Sequence, residues 1–142
     1  MCKRTSIILL LLILAWAAVP QAQEDVRISI QEIQKDEFIK GTVTGLTAAG
    51  ISAYKVVVYV KTDQWYIHPY ADSGEGQSWT SVTPEGTWNL PTVLREHPAS
   101  QVAALLVARG AKMPSKTENV QGITHRAIVV RTLTGTADDG KL

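Results

Sequence analysis

His68, His97 and His125 are the residues best suited to bind a metal, and their spacing argues against it. They lie far apart, with neither an H-x-x-x-H nor an H-x-H pattern. Three imidazoles from separate strands can still converge on zinc, but nothing local prepares them to. Asp63, Asp72 and Glu75 flank one candidate strand and offer hard oxygen ligands. The run Asp72-Ser73-Gly74-Glu75-Gly76 lacks the alternation of an EF-hand loop, so these read as solvated loop carboxylates. Ser78, His68 and Asp72 could be written as a nucleophilic triad, but no G-x-S-x-G elbow accompanies them. Glu75 and Glu85 each adjoin a glycine and read as turn residues, not as the facing pair that glycoside hydrolysis needs. Gly74 and Gly76 neither follow a buried strand nor open a helix, so no phosphate-cradling loop is present. No catalytic residue, metal or cofactor is expected.

The aromatic residues carry more information. Trp65, Tyr66, Tyr70, Trp79 and Trp88 all fall within residues 65–88. On a strand starting at Trp65, alternation puts Trp65, Ile67 and Pro69 on one face and Tyr66, His68 and Tyr70 on the other. With Trp65 and Ile67 turned to the core, Tyr66, His68 and Tyr70 form an outer row, joined by Trp79. Rings with polar edges can stack on a sugar or grip a peptide. The competing reading is packing, because tryptophan in a small sandwich is most often core.

Period-2 patterning supplies the elements that would hold such a row. Val26, Ile28 and Ile30 alternate with polar residues. Phe38 to Leu46 follows after the turn Lys35-Asp36, with Gly41 and Gly45 at bulges or bends. Tyr54 to Thr62 is apolar on both faces in its middle, which predicts a central strand. Lys55, near its end, is expected to stay in water. Further strands are expected over 65–71, 79–83 and 87–94, the last two joined by Pro84-Glu85-Gly86. Residues 97–110 read two ways. Pro98, the run Ala103–Val107, Arg109 and Gly110 suit a helix. A buried strand over 102–107 is preferred, because every other segment is β. Residues 111–124 read as a polar connector, 127–133 as a last strand and 136–142 as a flexible tail. Seven or eight short strands with turns between them predict an all-β antiparallel sandwich over 24–135.

The segment before residue 24 has a different chemistry. Lys3 and Arg4 precede an apolar stretch from Ile7 through Val19, then Pro20 and Gln21-Ala22-Gln23. That order is the anatomy of a cleavable secretory signal over residues 1–23, with a retained N-terminal anchor as the alternative. The apolar run is shorter than the roughly 20 residues of a bilayer span. The expected location is secreted or periplasmic, with no stable span after cleavage. Cys2 is the sole cysteine, so the remainder has no disulfide and no thiol chemistry. Loss of Lys3 and Arg4 leaves twelve of fourteen basic residues against thirteen acidic ones, without the positive field that nucleic-acid binding needs.

The stretch YKVVVYVKTDQWYIHPYA, followed by SWTSV, PEGTW and VAALLV, resembles an Ig-like β-sandwich module of bacterial and archaeal extracellular proteins, some attached to glycan-active or cell-surface chains. The likeness rests on Tyr54, Val56, Val58, Thr62-Asp63, Trp65-Tyr66, Pro69, Trp79, Gly86, Trp88 and 103–107. It implies a non-catalytic recognition or accessory module whose partner is a carbohydrate or a cell-envelope protein. It carries no catalytic motif onto this chain. The alternatives are a structural module acting through a sheet edge and a small hydrolase or metal-dependent enzyme.

Overall fold

The computed structural model describes residues 25–70, 77–93 and 97–133. The expected signal segment 1–23, the tail 136–142 and the loop residues Asp72 and Glu75 lie outside them. Among the described residues eight strands form: β1 (Arg27–Gln34), β2 (Phe38–Thr44), β3 (Tyr54–Lys61), β4 (Trp65–His68), β5 (Thr87–Pro91), β6 (Gln101–Ala108), β7 (Lys116–Thr117) and β8 (Ala127–Thr132). A single-turn helix, α1 (Ala48–Ile51), and a 3₁₀ turn (Val120–Gly122) complete the elements. No helix of the described residues is long and apolar enough to cross a membrane.

The strands make two sheets, ordered β1-β2-β5 and β7-β4-β3-β6-β8, with every pairing antiparallel. The fold is an all-β antiparallel sandwich, as the alternating pattern predicts. β3 is central, flanked by β4 and β6. Its two apolar faces enter two different cores. Val56, Val58 and Val60 meet Ile39, Trp88 and Leu90 of the facing sheet. Val57 and Tyr59 join Trp65, Ile67, Leu105 and Val120 on the other side of the five-stranded sheet. Within 97–110 the chain forms the strand β6, for the same reason. Residues 102–107 are all fully buried, and β6 pairs β3 along its whole length. A helix would have turned part of that run outward.

Two glycines are fixed by close approach. Gly86 takes φ +82° in the predicted turn, where a Cβ would lie 2.5 Å from the Val43 carbonyl oxygen. Gly41 faces the β1 bulge at which Ile30 pairs Gly41 and Glu32 pairs Lys40, leaving Gln31 as the extra residue.

Two expectations are corrected. Residues 79–83 form no strand; only Thr80 bridges Val56. With β4 ending at His68, Thr80 takes the place beside β3 that β4 vacates. The connector 111–124 is more than a link. It contributes β7, the 3₁₀ turn and buried Val120, and it covers the face of β3 and β4 that carries Tyr59 and Trp65. The Tyr59 hydroxyl donates to the Pro114 carbonyl at 2.7 Å. Lys55 is part of the same arrangement, since its Nζ donates to the Ala111 carbonyl at 2.9 Å.

Candidate functional site

The four candidate binding residues do not form one outward row. In the antiparallel register His68 lies opposite Val58, and Tyr66 opposite Val60. Directly paired residues share a face, so both side chains point toward the facing sheet. His68 is fully buried, and its Nε2 hydrogen-bonds the Thr92 hydroxyl just beyond β5. It therefore links the two sheets across the core and is not a surface ligand. Trp65 and Ile67 are buried as expected, but under the connector. Both faces of β4 are covered, which removes the premise of an outer row.

Tyr66 stays half-buried near the β3–β4 turn. Its hydroxyl donates to Asp63 Oδ2 at 3.3 Å. The Thr62 hydroxyl, the Tyr66 hydroxyl and the Gln64 backbone together hold the Asp63 carboxyl below its ordinary range. This is a turn lock.

Tyr70 and Trp79 are brought together. They line a cleft of about 380 Å³ between the chain leaving β4, the segment 77–80 and the end of β5. Pro69, Leu90 and Pro91 add apolar wall, while Gln77, Thr80 and Thr92 add amide and hydroxyl groups. Among the described residues that line it, none carries a formal charge. Ser78 fixes the geometry. Its hydroxyl donates to the Tyr70 carbonyl at 2.8 Å and accepts from the Tyr70 N–H at 3.1 Å. That clamp commits the Ser78 hydroxyl to the backbone, so it is not aimed at His68 as a nucleophile would be. The Trp79 ring is held in turn by two cations. Lys55 Nζ and the Arg109 guanidinium each lie 5.7 Å from a ring centroid, within cation–π range. Arg109 is braced by the Ser52 carbonyl and the Ser81 hydroxyl. Desolvation, then the Arg109 charge, lowers the Lys55 pKa.

Neither family models, curated proteins nor solved structures contain a match to this chain. The site has to be read from its own geometry. Among the described residues, no three His, Cys, Asp or Glu side chains gather where a metal ion could sit. His97 is exposed before β6, and His125 is half-buried with Nδ1 2.6 Å from the Ile123 carbonyl.

Leu90, Pro91 and Thr92 were not singled out from the sequence. Their signal was faint: the strand TWNLP alternates, so Trp88 and Leu90 point inward with Thr92 in step. Nothing local indicates that Thr92 would meet His68.

Proposed function

We propose that this protein is a non-catalytic recognition module of the cell envelope or extracellular space, which binds a neutral carbohydrate in the cleft between Tyr70 and Trp79. The observation that carries this reading is the cleft's chemistry. Aromatic and proline surface offers a platform for the apolar face of a sugar ring, and uncharged amide and hydroxyl groups suit its hydroxyls. The described lining, which holds no charged side chain, favours a neutral ligand over an anionic one. The Ser78 clamp and the cation-braced Trp79 hold the walls before a ligand arrives, which lowers the ordering cost of binding.

The strand order supports the Ig-like likeness. With β1, β2, β3, β4, β5, β6 and β8 lettered A, B, C, C′, E, F and G, the sheets read A-B-E and C′-C-F-G. Export to the periplasm or medium is supported by the charged, apolar and small-residue order of residues 1–23. Titration of the secreted protein with neutral oligosaccharides, followed by tryptophan fluorescence, tests the reading. Saturable binding lost in Tyr70→Ala supports it. A blank panel with intact folding overturns it.

A second reading has its own observation. β8 is an edge strand, its segment Ala127–Val130 carries no charge, and Val130 is the exposed large apolar side chain among the described residues. Unguarded edges of this kind pair with other chains. Capture of an envelope protein that Val130→Lys abolishes would favour this interaction role over the carbohydrate site.

A further inference from the structure

A second, larger cleft lies under the connector. It measures about 810 Å³ and opens between the ends of β3 and β6 and residues 111–126. Tyr54, Met113 and Ile123 give it an apolar wall. Lys112, His125 and Arg126 also line it, and no carboxylate among the described residues does. Neither Lys112 nor Arg126 makes an ion pair among the described residues. Glu118, between two lining residues, is itself outside the lining.

The walls are built in advance. Tyr59 anchors Pro114, and the Ile67 N–H donates to the Ser115 carbonyl at 2.9 Å. The Asn119 side chain accepts from the Gln121 N–H at 3.1 Å. The Arg126 N–H returns the chain to the Leu106 carbonyl at 2.7 Å. The contact of His125 Nδ1 with the Ile123 carbonyl makes Nδ1 the donor and leaves Nε2 as the ring's other polar atom. The volume lies within the range of about 300–1,000 Å³ typical of small-molecule sites.

We infer that this cleft binds a small amphipathic anion, with its apolar body against Tyr54, Met113 and Ile123 and its acidic head beside Lys112 and Arg126. Charge complementarity decides the class. A purely apolar ligand would make no use of the two exposed cations at the rim, and a fully hydrated inorganic anion would leave the apolar wall uncovered. The site shares no lining residue with the Tyr70–Trp79 cleft, and its ligand carries a charge that the neutral sugar proposed there lacks.

Octanoate is a suitable probe, with octanol as its uncharged counterpart. Met113 carries the only methionine methyl outside the segment 1–23, so it reports directly on this wall by methyl NMR. Octanoate should shift the Met113 and Ile123 methyl signals saturably, and octanol should do so far more weakly. The exposed double variant Lys112→Gln/Arg126→Gln should keep the melting temperature and lose about tenfold in octanoate affinity or more. Tyr70→Ala should leave octanoate binding unchanged. Equal shifts from octanol, unchanged affinity in the double variant, or no shift at all would each overturn the inference. None of these outcomes bears on the carbohydrate cleft.

Discussion

The Tyr59 hydroxyl reaches from the centre of β3 to the Pro114 carbonyl at 2.7 Å, and so fastens a polar-looking connector to the middle of the sheet. The ring is fully buried. This one contact helps convert a strand with two apolar faces into a strand with two cores.

Tyr59→Phe should therefore loosen the connector without unfolding the sandwich. It removes the donor to a part-buried carbonyl, a loss of about 0.5–1.5 kcal/mol. Amide exchange at Ile67, whose N–H donates to Ser115, should speed up more than exchange in β2. Equal exchange in both proteins would show that the Tyr59 hydroxyl adds nothing to the connector's other contacts.

The same residue sets a pH dependence. Burial raises the Tyr59 pKa above its ordinary 10.0. Above pH 10 the unfolded chain releases this proton while the folded chain keeps it, so the unfolded state binds fewer protons and stability falls as pH rises. The contribution is fully present below pH 10. Denaturant midpoints measured on both sides of that value should fall more steeply for the native protein than for Tyr59→Phe.

The sandwich was legible because β3 carries its instructions locally, whereas β6 suits a helix locally and reads as a strand only beside the other β segments. Val56, Val58 and Val60 alternate with Val57 and Tyr59, and both sets are buried. The site was less legible because its faces depend on distant chain. Alternation correctly separated Trp65 and Ile67 from Tyr66 and His68. It could not tell that both faces would be covered, one by the other sheet and one by residues 111–124. Met113, Val120 and Ile123 are the only apolar hints in that connector beyond alanine and proline, and they are too sparse for either period. Lys55 was misread for the same reason, since its partner Ala111 lies far along the chain.

Val58→Asp should abolish folding. Val58 is fully buried in the inter-sheet core, and an unpaired buried carboxylate costs several kcal/mol against a typical domain stability of about 5–15 kcal/mol. Lys55→Asp should fold but lose about 1–3 kcal/mol, because it deletes the Ala111 contact and one cation beside Trp79. Circular dichroism melts would rank them. A Lys55→Asp melt identical to that of the native protein would show the contact to be idle.

Gly41→Ala should be far worse than Gly110→Ala. A Cβ on Gly41 would fall 1.7 Å from the Ser29 carbonyl oxygen and 2.9 Å from Trp88 Cζ2. Relief requires β1 and β2 to move apart, and overpacking of this kind costs about 1–3 kcal/mol or more. A Cβ on Gly110 meets nothing within 4 Å. Comparable urea midpoints for the two variants would mean that the β1 bulge yields easily.

Trp65→Ala and Tyr70→Ala should separate folding from recognition. Trp65 is buried against Tyr59 and Val120 in the core beneath the connector, and truncating such a ring costs about 3–5 kcal/mol. Tyr70 is half-buried and is held by backbone contacts with Ser78, which an alanine would keep. Tyr70→Ala should accordingly melt close to the native temperature and lose neutral-oligosaccharide binding. Tyr66→Ala should keep neutral-oligosaccharide binding, because its hydroxyl serves the Asp63 turn and its ring lies outside the cleft lining. Thermal melts and fluorescence titrations on the three variants check this pattern. If Tyr70→Ala melts as low as Trp65→Ala, the ring is a core element and the cleft loses its platform. If Tyr66→Ala alone weakens sugar binding, the ligand sits at the β3–β4 turn instead.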